Sequence, residues 1–145
     1  MAKTVKLEII TPSKLFYKGE VELVVVKTLT GEEGFMAGHV WACKLLDAGA
    51  AWIQEAGTAE MKVACLSGGY IDVKDSIMIY TDAAEWHDQI SVDRANMKME
   101  EAKEYIAEHG NLKPGEDVDV DRARWVIEKS KARLAVAASG GKRKR

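Results

Sequence analysis

Four carboxylates in the C-terminal third stand at the spacing of a cation site. Asp117, Asp119, Asp121 and Glu128 occupy positions one, three, five and twelve of the loop that wraps calcium in oxygen ligands. That loop needs glycine at position six for its sharp turn, and Arg122 stands there. Position eight is Arg124 rather than an apolar residue, and helical periodicity begins inside the segment. The carboxylates therefore read as caps of a helix start, where they meet unpaired backbone N–H groups. No metal site is expected.

The other reactive side chains form no familiar catalytic array. His39, His87 and His109 are far apart along the chain. His39 with Glu33 would make a carboxylate–histidine pair able to move a proton, and that is the enzymatic reading open to this sequence. No Gly-x-Ser-x-Gly, lysine phosphate loop or Cys-x-x-Cys accompanies it. No catalytic residue is expected. Cys43 and Cys65 leave two readings, a disulfide or two buried free thiols, and a reducing compartment favours the thiols. Lys142-Arg143-Lys144-Arg145 follows Ser139-Gly140-Gly141. With no matching basic stripe elsewhere, residues 139–145 read as a disordered, solvated tail without a nucleic-acid partner.

Bulk properties narrow the class further. The 145 residues and 16.0 kDa fit one ordinary domain, or a small one with an extension. A net charge of -2 and a pI near 6.0 give no whole-molecule attraction for nucleic acid or anionic lipid. No apolar run approaches the ~20 residues of a membrane-spanning helix. The first residues lead straight into a strand pattern, with no signal-peptide apolar region. A cytosolic chain, or one peripheral to a membrane through a partner, is expected.

Near Trp86 the apolar rhythm changes from two to three and four, the periods of strand and helix. Val5, Leu7 and Ile9 alternate, as do Val21, Leu23 and Val25, and short strand-like runs continue to Thr81. Turn residues separate them at Thr11-Pro12-Ser13, Gly19-Glu20, Asp47-Ala48-Gly49, Glu55 to Thr58 and Lys74-Asp75-Ser76, with a corner at Gly68-Gly69. Residues 1–86 are thus predicted to form an all-β sandwich of about ten short strands. Ser91 is a candidate N-cap for a helix carrying Val92, Ala95, Met99, Ala102 and Ile106, ended by His109-Gly110. After the Asn111 to Gly115 loop, Asp117 or Asp119 caps a second helix striped by Val120, Ala123, Ile127, Ser130, Leu134 and Ala137. Residues 90–138 are predicted to be an antiparallel helical hairpin. Its small side chains allow close approach but yield only a few kcal/mol at ~25 cal/mol per Å², so it is expected to dock weakly and move.

One segment carries a resemblance. Gly31-Glu32-Glu33-Gly34-Phe35-Met36-Ala37-Gly38-His39 resembles the Gly-Glu-x-Gly-x-x-x-Gly-His stretch of the epsilon subunit of bacterial F-type ATP synthases, called delta in mitochondria. Ile9-Ile10-Thr11-Pro12, Tyr17 to Val21, Ser67 to Val73, Thr81 to Glu85, Ile90 to Ala95 and Ala132 to Ala137 agree in order. Only the basic tail and the inter-helix loop fall outside the likeness.

The resemblance implies a β-sandwich followed by two helices, in a non-catalytic subunit of the rotor's central stalk. It implies binding to the gamma subunit and the c-ring at the cytoplasmic face of the bacterial cell membrane, as a peripheral component coupling proton passage to ATP synthesis. Gly31, Glu32, Glu33, Gly38 and His39 would face the c-ring. The helices would be a regulatory arm that, when extended, inhibits ATP hydrolysis at the alpha/beta catalytic head, with Arg94, Lys129, Lys131 and Arg133 available for acidic surfaces. Some members bind ATP through an Ile-Asp-x-x-Arg-Ala motif and helix arginines. Here Ile90, Asp93, Arg94 and Arg133 are the candidates for a weak nucleotide site. Ser91 replaces the motif's aspartate, and Lys129 replaces an arginine whose fork lysine cannot reproduce. ATP is expected at most as a regulatory ligand, and no cofactor is expected. The rival readings are a generic β-sandwich binding module with a helical oligomerisation tail, and the His39–Glu33 enzyme.

Overall fold

A computed structural model of the chain describes residues 3–109 and 115–143. Alternation in the N-terminal half produces strands β1 (Val5–Ile10), β2 (Leu15–Thr28), β3 (Gly31–Phe35), β4 (Ala42–Glu55), β5 (Met61–Val73), β6 (Ile77–Tyr80) and β7 (Ala84–Trp86). They hydrogen-bond in the order β1-β6-β5-β4-β2-β3, and β1 also pairs with β2. That last pairing closes the sheet into a flattened barrel around one apolar interior, removing two of its open edges. Leu7, Ile9, Val21, Val24, Val26, Phe35, Ile53, Ile71 and Ile79 fill the interior.

The described residues hold seven strands rather than about ten short ones, for a physical reason. Gly19-Glu20 and Asp47-Ala48-Gly49 were predicted to separate strands but lie inside β2 and β4, which run for 14 residues each. Gly68 and Gly69 lie inside the 13-residue β5. Glycine and register shifts here bend a strand around the barrel corner without ending it. Of the predicted turns, those at Thr11–Lys14, at Glu55–Thr58, where Thr58 N–H donates to Glu55 O at 3.1 Å, and at Lys74–Ser76 are true reversals, and β2 and β3 meet in a further hairpin. Gly31–Phe35 pairs with the end of β2.

The corner at Gly69 has no freedom to vary. Its φ of +105° lies where L side chains rarely go, and a Cβ there would sit 1.8 Å from the Tyr80 carbonyl oxygen.

After a 3-10 turn at His87–Gln89 come α1 (Val92–His109) and α2 (Val118–Ala138). Ser91 Oγ accepts from Arg94 N–H at 3.3 Å, making it the N-cap of α1. Asp117 caps α2, its Oδ1 accepting from Asp119 and Val120 N–H at 2.8 and 3.3 Å. The predicted Gly110 cap and most of the inter-helix loop lie outside the described residues. Ala95 and Ala102 of α1 are buried, as are Val120, Ala123 and Ser130 of α2, so small residues do face small residues. Val92, placed on the stripe from sequence, is 45% exposed in the first turn.

Gly69→Ala is expected to lower unfolding stability by roughly 3 kcal/mol or more, the combined effect of strained backbone and steric overlap. Urea titration of the full chain measures it.

Candidate functional site

Two surfaces carry the residues singled out by sequence. The first is the end of the barrel formed by β3 and the 36–41 segment. Along β3 successive side chains point to opposite faces. Glu33 shares the face of buried Phe35, and Lys44 Nζ binds both its oxygens at 2.7 and 2.6 Å. Glu32 points the other way, where Arg143 Nη1 and Nη2 reach it at 3.0 and 3.3 Å. His39 Nδ1 lies 2.7 Å from the Val40 carbonyl oxygen, and its ring meets Phe35 edge-on at 4.8 Å. Glu33 and His39 thus have separate partners, and the carboxylate–histidine pair is not assembled. Gly31 and Gly38, at φ +125° and +80°, turn the chain at either end of the segment.

Around these polar groups lies uncovered apolar surface. Val40 and Trp41 are 76% and 67% exposed, Leu45 is 62% exposed and Met36 57%. On the outer face of the sheet Leu45 stands opposite Tyr70, and Tyr70 stacks on Tyr80 at 4.8 Å. Cys43 belongs to this outer face and is exposed, which corrects the expectation of two buried thiols. Strand alternation places it beside Leu45 rather than in the interior. Both cysteines are free.

The second surface is where α2 lies on β4 and β5. Val136 and Ala132 close over Val25, Trp52, Val63 and Cys65 in a second apolar cluster outside the barrel. Strands β2, β4 and β5 are therefore apolar on both faces in this region. The stripe read from sequence found only the helix–helix face of α2. The sheet-facing residues Ala132 and Val136 fall outside it. Above this cluster Arg133 forks onto Glu85, Nε to Oε1 at 2.7 Å and Nη2 to Oε2 at 3.1 Å, with the arginine side chain only 16% exposed. Burial pushes the Cys65 thiol up to about 12, with the Glu85 charge adding and Arg133 opposing. Such a thiol is protonated and unreactive while α2 covers it.

Beside that ion pair is a cleft of about 280 Å³ lined by Ser67, Glu85, Arg94, Lys98, Lys129, Ser130 and Arg133. Of the sequence candidates, Arg94, Lys129 and Arg133 come together here. Asp93 and Lys131 do not line it, and Lys131 pairs with Glu128 at 3.6 Å. Ile90 packs instead against the apolar cluster under α2. Sequence reading missed Lys98 and Glu85. Lys98 was accessible, since it lies four residues after Arg94 on one helix face. Glu85 was not, because its partner is 48 positions away.

The calcium-like spacing dissolves into a helix start. Asp119 faces Arg122 at 3.8 Å, Asp121 faces Arg124 at 3.2 Å, and Asp121 also accepts from Gly115 N–H at 2.8 Å. Gly140, Lys142 and Arg143 are exposed, as expected of a solvated end, yet residues 139–143 have partners. Ser139 N–H still donates to Ala135 and Val136, and Arg143 returns to the barrel, because Glu32 and Trp52 offer it a carboxylate and an aromatic face. Lys144 and Arg145 lie outside the described residues.

The family model for the ATP synthase Delta/Epsilon chain, beta-sandwich domain, matches residues 4–87. The chain is 35% identical to the ATP synthase epsilon chain of Bacillus pumilus over 93% of its own length and 98% of that relative. Its identity to the epsilon chain of Desulforamulus reducens is also 35%, over 94% and 99%. The chain belongs to the ATP synthase epsilon chain family, and it is a non-catalytic subunit of that complex. Its partners are therefore ATP synthase subunits, and it is peripheral and membrane-associated. No helix among the described residues is long and apolar enough to cross a membrane. The fold is shared with a chain of the Euglena gracilis mitochondrial ATP synthase OSCP/F1/c-ring structure, with a TM-score of 0.73 at 22% identity. That match covers 93% of this chain and 81% of the other. A chain of the Tetrahymena thermophila mitochondrial central stalk/c-ring structure gives 0.57 at 12% identity, over 97% and 98%.

In native protein a thiol reagent is expected to modify Cys43 quickly and Cys65 at least about a hundredfold more slowly. Removing the fork with Glu85→Gln is expected to speed Cys65 modification severalfold while leaving Cys43 unchanged. Equal rates for the two thiols would contradict the docked position of α2.

Proposed function

We propose that this epsilon-family subunit binds the rotor through the uncovered end of its sandwich, and that its helical hairpin is the regulatory arm. Gly31, Glu32, Glu33, Gly38 and His39 meet the polar loops of the c-ring. The outer face bearing Leu45 and Tyr70 meets the gamma subunit. The observation that carries this reading is the contiguity of exposed Met36, Val40, Trp41 and Leu45 with the Glu32–His39 segment. A patch of that kind, rimmed by charge, is the surface of a partner-bound protein rather than of a solitary one. These four residues all lie on the sandwich, which favours the rotor over a helical oligomerisation module, although Met97 and Val118 of the hairpin are exposed as well. The working site is the cytoplasmic face of the bacterial cell membrane.

In the docked state Arg133 is committed to Glu85, and Lys129 lines the cleft beside it. Extension would release Arg133, with Lys129 and Lys131 alongside, toward acidic surfaces of the alpha/beta head. A docked and an extended state can exchange only if they differ by a few kcal/mol, and the short apolar contact of α2 suits that requirement. An ATP phosphate entering the cleft would have to compete with Glu85 for Arg133. The serine at position 91, occupied as a helix cap, and the single ammonium of Lys129 weaken such a site.

Glu32→Lys combined with Glu33→Lys is expected to weaken binding to an assembled gamma–c-ring rotor by about tenfold or more. Binding of the double variant equal to that of the native chain would overturn the c-ring assignment.

A further inference from the structure

We propose that residues 139–143 form a strap that fastens the docked hairpin to β3, gripping Glu32, the same carboxylate assigned above to the c-ring. The strap itself stands on geometry alone, while the shared use of Glu32 rests on the proposed rotor contact.

The turn that makes the strap is built for it. Gly140 and Gly141, at φ +61° and +81°, are consecutive left-handed residues directly after the α2 C-terminus. Lys142 N–H donates to Ser139 O at 3.1 Å, and Gly141 N–H to Ser139 Oγ at 3.2 Å, so the reversal is hydrogen-bonded throughout. Gly141 lies against the His87 ring, where a Cβ would come within 2.8 Å of Cε1 and Nε2. The positive φ favours glycine there, and any added Cβ would have to push the His87 ring aside. The chain is thereby aimed back along the sandwich.

Its end makes two contacts at once. The Arg143 guanidinium carbon sits 5.7 Å from the centroid of Trp52, and the two terminal nitrogens fork onto Glu32. Trp52 is 7% exposed and belongs to the cluster that α2 covers through Val136. One aromatic residue therefore lies under both the helix and the strap, so loss of one loosens the seat of the other. An exposed ion pair alone adds little. Joined to a stacked ring and a preformed turn, it is expected to shift the docking equilibrium by roughly threefold to tenfold.

The two β3 carboxylates are then unequal. Glu33 is held by Lys44 from within the sandwich, whatever the hairpin does. Glu32 is held by the hairpin's own end, so any rotor group that takes Glu32 must first displace Arg143. Coupling of this kind is reciprocal: rotor engagement loosens the hairpin, and a loosened hairpin engages the rotor better.

The test measures the modification rate of Cys65 in the full chain, with Arg143→Gln, Glu32→Gln and the double variant. Each single change is expected to raise the rate, Arg143→Gln by the larger factor of roughly threefold to tenfold because it also removes the Trp52 contact, and the double change is expected to go no further than Arg143→Gln. Unaltered Cys43 rates and urea midpoints confirm that the sandwich is intact. Unchanged Cys65 rates in both singles, or fully additive effects, would overturn the strap. The exchanged pair Glu32→Arg with Arg143→Glu is expected to restore slow modification only in part, since it rebuilds the ion pair but not the contact with Trp52. A second arm measures binding of Arg143→Gln to the gamma–c-ring rotor, expected to tighten by a similar factor. Faster Cys65 modification with unchanged rotor affinity overturns the sharing of Glu32 while supporting the strap. If Glu32→Lys with Glu33→Lys also leaves rotor binding unchanged, the c-ring assignment itself is what fails.

Discussion

Arg133 reaches from α2 to Glu85 on β7, and beneath it Val136 and Ala132 close over Trp52, Val63 and Cys65. This small seam is what joins the two halves of the molecule, because α1 packs principally on α2 rather than on the sheet. A buried valine stabilises by about 1.5–3 kcal/mol, and an alanine by less. The bidentate ion pair adds direction more than energy, since its desolvation offsets much of its attraction. The hairpin therefore has one defined seat, held by a small seam.

The barrel has the opposite character. A sheet closed by the β1–β2 pairing, with branched aliphatic side chains inside and a corner that tolerates only glycine, has no low-energy alternative arrangement. Rigidity of this kind would suit the proposed grip on the rotor, and a small seam would suit the proposed regulatory arm. Family membership places the chain in ATP synthase without catalytic duty. The division of stiffness is a physical basis for that role.

Much of this was legible in the residues. Alternation in Val5-Leu7-Ile9 and the three- and four-residue spacing from Val92 gave the two architectures, and Ser91 and the pair Asp117 or Asp119 marked the helix starts, the structure selecting Asp117. Local chemistry was readable because caps and turns act within a few residues. Strand number was not, since Gly19 and Asp47-Ala48-Gly49 carry turn chemistry yet sit where the barrel bends. The exposure of Cys43 and the sheet-facing side of α2 depend on which faces meet in three dimensions. The partnerships Glu85–Arg133 and Glu32–Arg143 span 48 and 111 positions, and no spacing rule reaches so far. At the cleft, Arg94 was found through its motif, whereas Lys98 needed only the helical period and was overlooked.

Native-state hydrogen exchange across the whole chain tests the central claim most directly. The amides of α2 should exchange through an opening that leaves β4 and β5 protected, with a free energy several kcal/mol below that of global unfolding. If α2 and the β4–β5 amides instead exchange together, at the free energy and denaturant dependence of global unfolding, the hairpin is part of the rigid body. The account of a displaceable arm would then be wrong.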